Sequence, residues 1–146
     1  MVLWQGTCIV HEQFSERELI RLKNNHENAK IIAHPECPSN LLSHADHIGS
    51  TKSLINYTKH NDGGEFIILT EPGIIHQMKK LSPNSSFYSV PGVAESCQYC
   101  NKCPFMRLNS IEKLYLALKN LSPEISLDDK LITAAKAPLD KMLKMS

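Results

Sequence analysis

From Thr7 to Val90 the chain repeats one rhythm: a short apolar run, a polar turn, then an amphipathic segment. Strands joined by helical crossovers pair in parallel, and a parallel sheet is covered by helices on its faces. The apolar runs are Thr7-Cys8-Ile9-Val10, Lys30-Ile31-Ile32-Ala33, the weaker Asp46-His47-Ile48-Gly49, Glu65 to Leu69, and Ser86 to Val90. Each has the length of a strand. Between them, Ser15-Glu16-Arg17-Glu18 is a capping box ahead of Leu19, Ile20 and Leu22. The prolines of His34-Pro35-Glu36-Cys37-Pro38 forbid a regular element there, and a short helix over Leu41 to His44 follows. Ser50-Thr51 caps a helix bearing Leu54, Ile55 and Tyr57. Asp62-Gly63-Gly64 is a turn, and Thr70-Glu71-Pro72 starts a helix bearing Ile74, Ile75 and Met78.

This pattern predicts an α/β fold: a three-layer parallel-sheet domain over residues 1–90, then a cysteine loop and a C-terminal helical tail over 91–146. Ser110 caps one tail helix and Asp128 opens another, reaching about Leu143 with a kink at Pro138. Their leucines read as core stripes. At 146 residues and 42% apolar, the chain can close a core without disulfides. Sixteen basic against fifteen acidic residues leave a formal charge of +1, which gives no footprint for nucleic acid or anionic membrane. No apolar run approaches the ~20 residues of a membrane span. Met1-Val2-Leu3-Trp4 lacks the basic start of a signal peptide, which points to a cytoplasmic chain with reduced thiols. Its five cysteines are then read as metal or redox groups, and an odd number excludes complete pairing.

In such a sheet, ligands gather at the carboxyl ends of the strands. There the sequence places Cys8, His34-Pro35-Glu36, Ser50-Thr51 and Thr70-Glu71. An isolated His-Pro-Glu is by default a solvated surface loop, although proline fixes the backbone between His34 and Glu36 and can aim both at one site for substrate binding and acid–base work. Ser50-Thr51 and Thr70-Glu71 are by default ordinary caps, although a cap can also serve an anion. His11, near Cys8, is either a site residue or a structural one. Cys97-Gln98-Tyr99-Cys100-Asn101-Lys102-Cys103-Pro104 spaces three thiols three residues apart, with proline after the last. That pattern suits an iron–sulfur loop, a zinc site or a thiol pair. Spacing alone would add Cys37 as the fourth ligand and treat Cys8 as a buried strand residue.

Taken in order, several fragments resemble bacterial and plastid-type quinolinate synthases. They are Trp4 to His11, Ile32 to Pro38, Ala45 to Thr51, Glu65-Phe66-Ile67 with Thr70-Glu71, Cys103-Pro104-Phe105-Met106, and the helix from Ile111 to Leu118. The resemblance implies a transferase of de novo NAD synthesis, acting with L-aspartate oxidase in the cytoplasm or a plastid. It would condense iminoaspartate with dihydroxyacetone phosphate to quinolinate, phosphate and water. Its cofactor would be a 4Fe-4S cluster held by three cysteines, with the open iron acting as Lewis acid. Residue by residue, Cys8 and Cys103 resemble two cluster ligands. His34, Pro35, Glu36, Thr51 and Ser50 resemble substrate contacts, with His34 and Glu36 catalytic and Glu36 moving the proton. Cys97 and Cys100 resemble a redox pair found in some members, and Cys37 binds no iron. Leu69 stands where a glycine is usual. Members are longer, with three similar α/β domains. This chain resembles the third domain and tail, so the third cluster cysteine and the front of the cradle fall outside it. The implied expectation is a chain inactive alone, which a separate N-terminal portion would complete. The alternative is a stand-alone zinc or thiol-redox module using Cys97, Cys100 and Cys103.

Overall fold

The computed structural model describes residues 6–92 and 101–145, and the chain divides into two compact units, 1–106 and 107–146. The first unit is built on four parallel strands in the order β2-β1-β3-β4: β1 Lys30–Ala33, β2 His47–Ile48, β3 Glu65–Leu69 and β4 Ser86–Ser89. Around them run α1 Ile9–Glu12, α2 Glu16–Asn25, α3 Ser39–Leu42, α4 Thr51–His60 and α5 Ile74–Leu81. Strand residues alternate between faces. Ile31, Ala33, Ile67 and Leu69 therefore meet Val10, Leu19 and Leu41 from α1, α2 and α3. Ile32, Phe66 and Ile68 meet Leu54 and Met78 from α4 and α5 on the opposite face. This α/β unit has the expected layers, with helices on both faces.

Local chemistry sets the element ends. Ser15 Oγ accepts from Glu18 N at 3.3 Å, so Ser15 caps α2 as expected, but the box is not closed: Ser15 N donates to Pro91 O and the Glu18 carboxylate takes Arg21 instead. β2 is only two residues long, and the Asp46 carboxylate lengthens its edge by accepting from Ile31 N at 2.8 Å. The turn before β3 needs Gly63 at φ +89°. Asp62 ties that turn to the one before β4 by accepting from Asn84 Nδ2 at 2.9 Å and Ser85 Oγ at 3.2 Å.

One expected strand is absent from the described residues. Thr7 to Val10 does not join the sheet: Cys8 is the N-cap of α1, a single helical turn closed by Glu12 N donating to Cys8 O at 3.1 Å. Four apolar-leaning residues fit a strand or a helical turn equally well, and distant partners decide between them. α5 also begins later than expected, at Ile74 with Gly73 as its N-cap, so neither Thr70 nor Glu71 caps it.

The second unit contains α6 Ile111–Asn120 and α7 Asp129–Leu143, preceded by the 3-10 turn Met106–Leu108. Ser110 caps α6 by accepting from Lys113 N at 3.2 Å, and Asp128 caps α7 by accepting from Lys130 N at 2.9 Å. α7 runs through Pro138. The leucines expected as core stripes are instead exposed, Leu114, Leu118, Leu131 and Leu139 among them. Two short helices cannot enclose an apolar interior by themselves. No described helix is long and apolar enough to cross a membrane.

The β3 core sets the stability of the sheet. Ile68 is 0% exposed and Ile48, on the edge strand, 46%. Ile68→Ala is expected to lower the unfolding free energy by about 2–5 kcal/mol, whereas Ile48→Ala should change it by less than about 0.5 kcal/mol. Urea unfolding of the two variants measures the difference.

Candidate functional site

The strand order creates one crevice. β1 leads into α3 on one face of the sheet, while its neighbour β3 leads into α5 on the other. Adjacent parallel strands whose outgoing connections part in this way leave a ligand cleft at their carboxyl ends. A cavity of about 550 Å³ lies there, bordered by Cys8, His11, His34, Thr51, Thr70 and Cys103, with Ile55 and Ile74 among its apolar walls.

On its wall is His11, only 7% exposed. Its Nδ1 lies 3.1 Å from Glu36 Oε2, and its Nε2 lies 3.1 Å from Thr70 Oγ1. A carboxylate can only accept, so Nδ1 donates to Glu36. In the neutral ring Nε2 then accepts from the Thr70 hydroxyl. The result is a hydroxyl–imidazole–carboxylate line that can carry a proton between Thr70 and Glu36 and make the Thr70 oxygen more basic. The His34 ring stacks on His11 at 4.5 Å with 6° between the planes. Burial, and next the neighbouring His11, hold His34 below the ordinary histidine value, against the pull of Glu36. A neutral His34 beside His11 avoids two adjacent positive rings.

The backbone fixes these positions. His34 N donates to Leu69 O at 3.0 Å, and the Cys37 thiol donates to the same carbonyl at 3.4 Å. Cys37, the ligand that spacing alone would choose, is a core residue, 4% exposed. Burial pushes its thiol up to about 11. Pro35 is exposed and shapes the loop. Glu36 is not part of the cavity wall and joins the site through His11, its side chain 54% exposed. Ser50 Oγ accepts from Ser53 N at 3.4 Å as the cap of α4, and Thr51 beside it borders the cavity. Gly49, just before them, has no room for a Cβ, which would lie 2.5 Å from Ser53 Oγ.

Cys8, Cys37 and Cys103 carry free thiols. Cys8 and Cys103 border the same cavity, and Met106 N donates to Cys103 Sγ at 3.5 Å. Cys97 and Cys100 lie outside the described residues. Donor atoms of Cys8, His11 and Glu36 all lie within 4.8 Å of one another. Sequence reasoning left His11 undecided and read Thr70 as a cap. The available signal was the Cys8-x-x-His11 spacing, which puts both on one side once that segment is helical.

Residues 1–144 match the family model described as "Quinolinate synthetase A protein". The chain is 57% identical over 147 residues to quinolinate synthase of Ehrlichia chaffeensis, covering 100% of this chain and 47% of the relative. It is 56% identical over 146 residues to quinolinate synthase of Synechocystis, covering 100% of this chain and 45% of that protein. For Chloroherpeton thalassium quinolinate synthase the identity is 51% over 146 residues, again 100% of this chain and 45% of the relative. The chain thus spans slightly under half the length of these curated relatives. Through that match over nearly all of its length, the chain belongs to the quinolinate synthetase A family.

Proposed function

We propose that this chain is the C-terminal part of a quinolinate synthase: an α/β unit resembling the third of three similar domains, followed by a helical tail. The reaction joins iminoaspartate and dihydroxyacetone phosphate into quinolinate with loss of phosphate and water, as a step of NAD synthesis supplied by an aspartate-oxidising enzyme. The observation that carries the reading is the Thr70–His11–Glu36 line beside a cavity bordered by two free thiols.

The donor set fits an iron–sulfur cofactor. Cys8 and Cys103 offer soft thiolates to one cavity, and a backbone N–H aimed at Cys103 sulfur is the kind of contact that tunes a cluster. Cys37 does not fit, because its proton is committed to Leu69 O. When bound, a 4Fe-4S cluster supplies an open iron that polarises substrate oxygens. The third thiolate is assigned to the portion that the relatives have in addition, and the isolated chain is assigned no turnover of its own.

The chain's own residues handle protons and orientation. Glu36 Oε2 takes up the proton released on carbon–carbon bond formation and returns it when a hydroxyl leaves as water. His11 carries it between Glu36 and Thr70 Oγ1, which faces the substrate. His34 and Thr51 hold the substrate's anionic groups, Thr51 from the N-terminal end of α4. The apolar wall of Ile55 and Ile74 keeps water from the reacting carbons.

The test combines this chain with the front half of a full-length relative, under anaerobic iron and sulfide. A cluster and quinolinate are expected in the mixture, and failure to form either sinks the assignment. In the same mixture, Cys8→Ser and Cys103→Ser should each abolish cluster absorbance, while Cys37→Ser retains it. Glu36→Gln should keep the cluster and lower turnover by about 10²–10⁴-fold. Thiol labelling checks the cysteine roles separately. Iodoacetamide at pH 8 should modify Cys8 and Cys103 of the folded chain and spare Cys37. Its labelling should rise only as the pH approaches the value near 11 to which burial pushes that thiol. Peptide mass mapping across pH reads this out.

A further inference from the structure

Cys8, His11 and Glu36 present one sulfur, one nitrogen and one oxygen donor within 4.8 Å of one another. We propose that these three side chains form a zinc site, open when no iron–sulfur cofactor occupies Cys8. The proposal shares only Cys8 with the cluster reading and uses neither Cys103 nor the Cys97–Cys100 segment.

Local structure builds the site. Cys8 is the N-cap of α1 and makes no side-chain capping bond. His11 lies one helical turn on, so both side chains project to the same side. Glu36 comes from the loop after β1, its Oε2 3.1 Å from His11 Nδ1. Zinc bonds of about 2.0–2.3 Å give donor–donor edges of roughly 3.3–3.8 Å in a tetrahedral shell. The His11–Glu36 pair stands near that separation already, and the sulfur has at most about 1.5 Å to close. The half-exposed Glu36 carboxylate gives the ion a path from solvent. The second ring nitrogen of His11 is held by Thr70 Oγ1 at 3.1 Å, the outer bond that orients a ligating imidazole.

The donor chemistry selects the ion. Calcium and magnesium take shells built from oxygen ligands, and this set offers a single carboxylate. Thiolate, imidazole and carboxylate together suit zinc, with the fourth position left to water. The Cys8 thiol loses its proton to solvent and its sulfur binds the metal. The His11 proton leaves Nδ1 and settles on Nε2, so Nδ1 binds the metal and Thr70 changes from donor to acceptor. The Glu36–His11 hydrogen bond is replaced by two metal bonds. Zinc in this site therefore disables the proton line and blocks Cys8 at the same time.

The 146-residue chain, reduced and stripped with a chelator under anaerobic conditions, is titrated with Zn²⁺ against a chromophoric chelator. One equivalent is expected. Cys8→Ser, His11→Gln and Glu36→Gln should each weaken binding by about tenfold or more, while Cys37→Ser and Cys103→Ser leave it unchanged. Co²⁺ in place of zinc should show a thiolate charge-transfer band that Cys8→Ser removes. If His11→Gln fails to fold, the exposed Glu36→Gln still decides the matter. Zinc that survives both Glu36→Gln and His11→Gln overturns the proposal. So does zinc lost in the triple variant Cys97→Ser, Cys100→Ser, Cys103→Ser, or no binding at all. Cys103→Ser also separates the two readings: it should cost the cluster in the reconstituted mixture and leave zinc in place.

Discussion

The structure depends on the register between β1 and β3. Lys30 pairs with Phe66 and Ala33 with Leu69, so the two strands end side by side. The last carbonyl of β3 is then in reach of the loop that leaves β1. It takes His34 N–H and the Cys37 thiol together. With the loop fixed there, Glu36 meets His11, and Thr70, the next residue of β3's own chain, meets the other side of the same ring. A shift of one residue in this pairing would turn the inward faces of the strand outward. It would also part the three groups that touch His11.

The two thiols of the neighbourhood illustrate how environment decides chemistry. Cys8 stands at the open end of a helical turn and borders the cavity, whereas Cys37 sits in the core with its proton on a carbonyl. Both are free cysteines at the ends of sheet-proximal segments, and the chain alone gives little to tell them apart. A buried thiol in apolar surroundings resists ionisation and stays out of metal chemistry.

Much of the fold was legible in the sequence. β1 and β3 are apolar runs between punctuating residues, and Ser15, Ser50, Ser110 and Asp128 cap the helices that their positions announce. The segment around Cys8 was not, because four residues carry too little periodicity to choose between strand and turn. Nor were the roles of His11 and Thr70. Their contacts span 25 residues to Glu36 and 59 between each other, and no local pattern encodes a pairing made by sheet topology. The leucine stripes of α6 and α7 show the converse failure. Periodicity finds an apolar face correctly but does not say that the face is covered.

The first unit also closes on itself. Phe14 forms an antiparallel bridge with Gly92, and Ser15 N donates to Pro91 O at 3.2 Å. The segment before α2 and the segment after β4 therefore lie together, with the whole sheet strung between them. A sheet whose flanking segments lie together can be copied, inserted or joined to another without rethreading its interior. Tandem duplication of such a module would need only short joins.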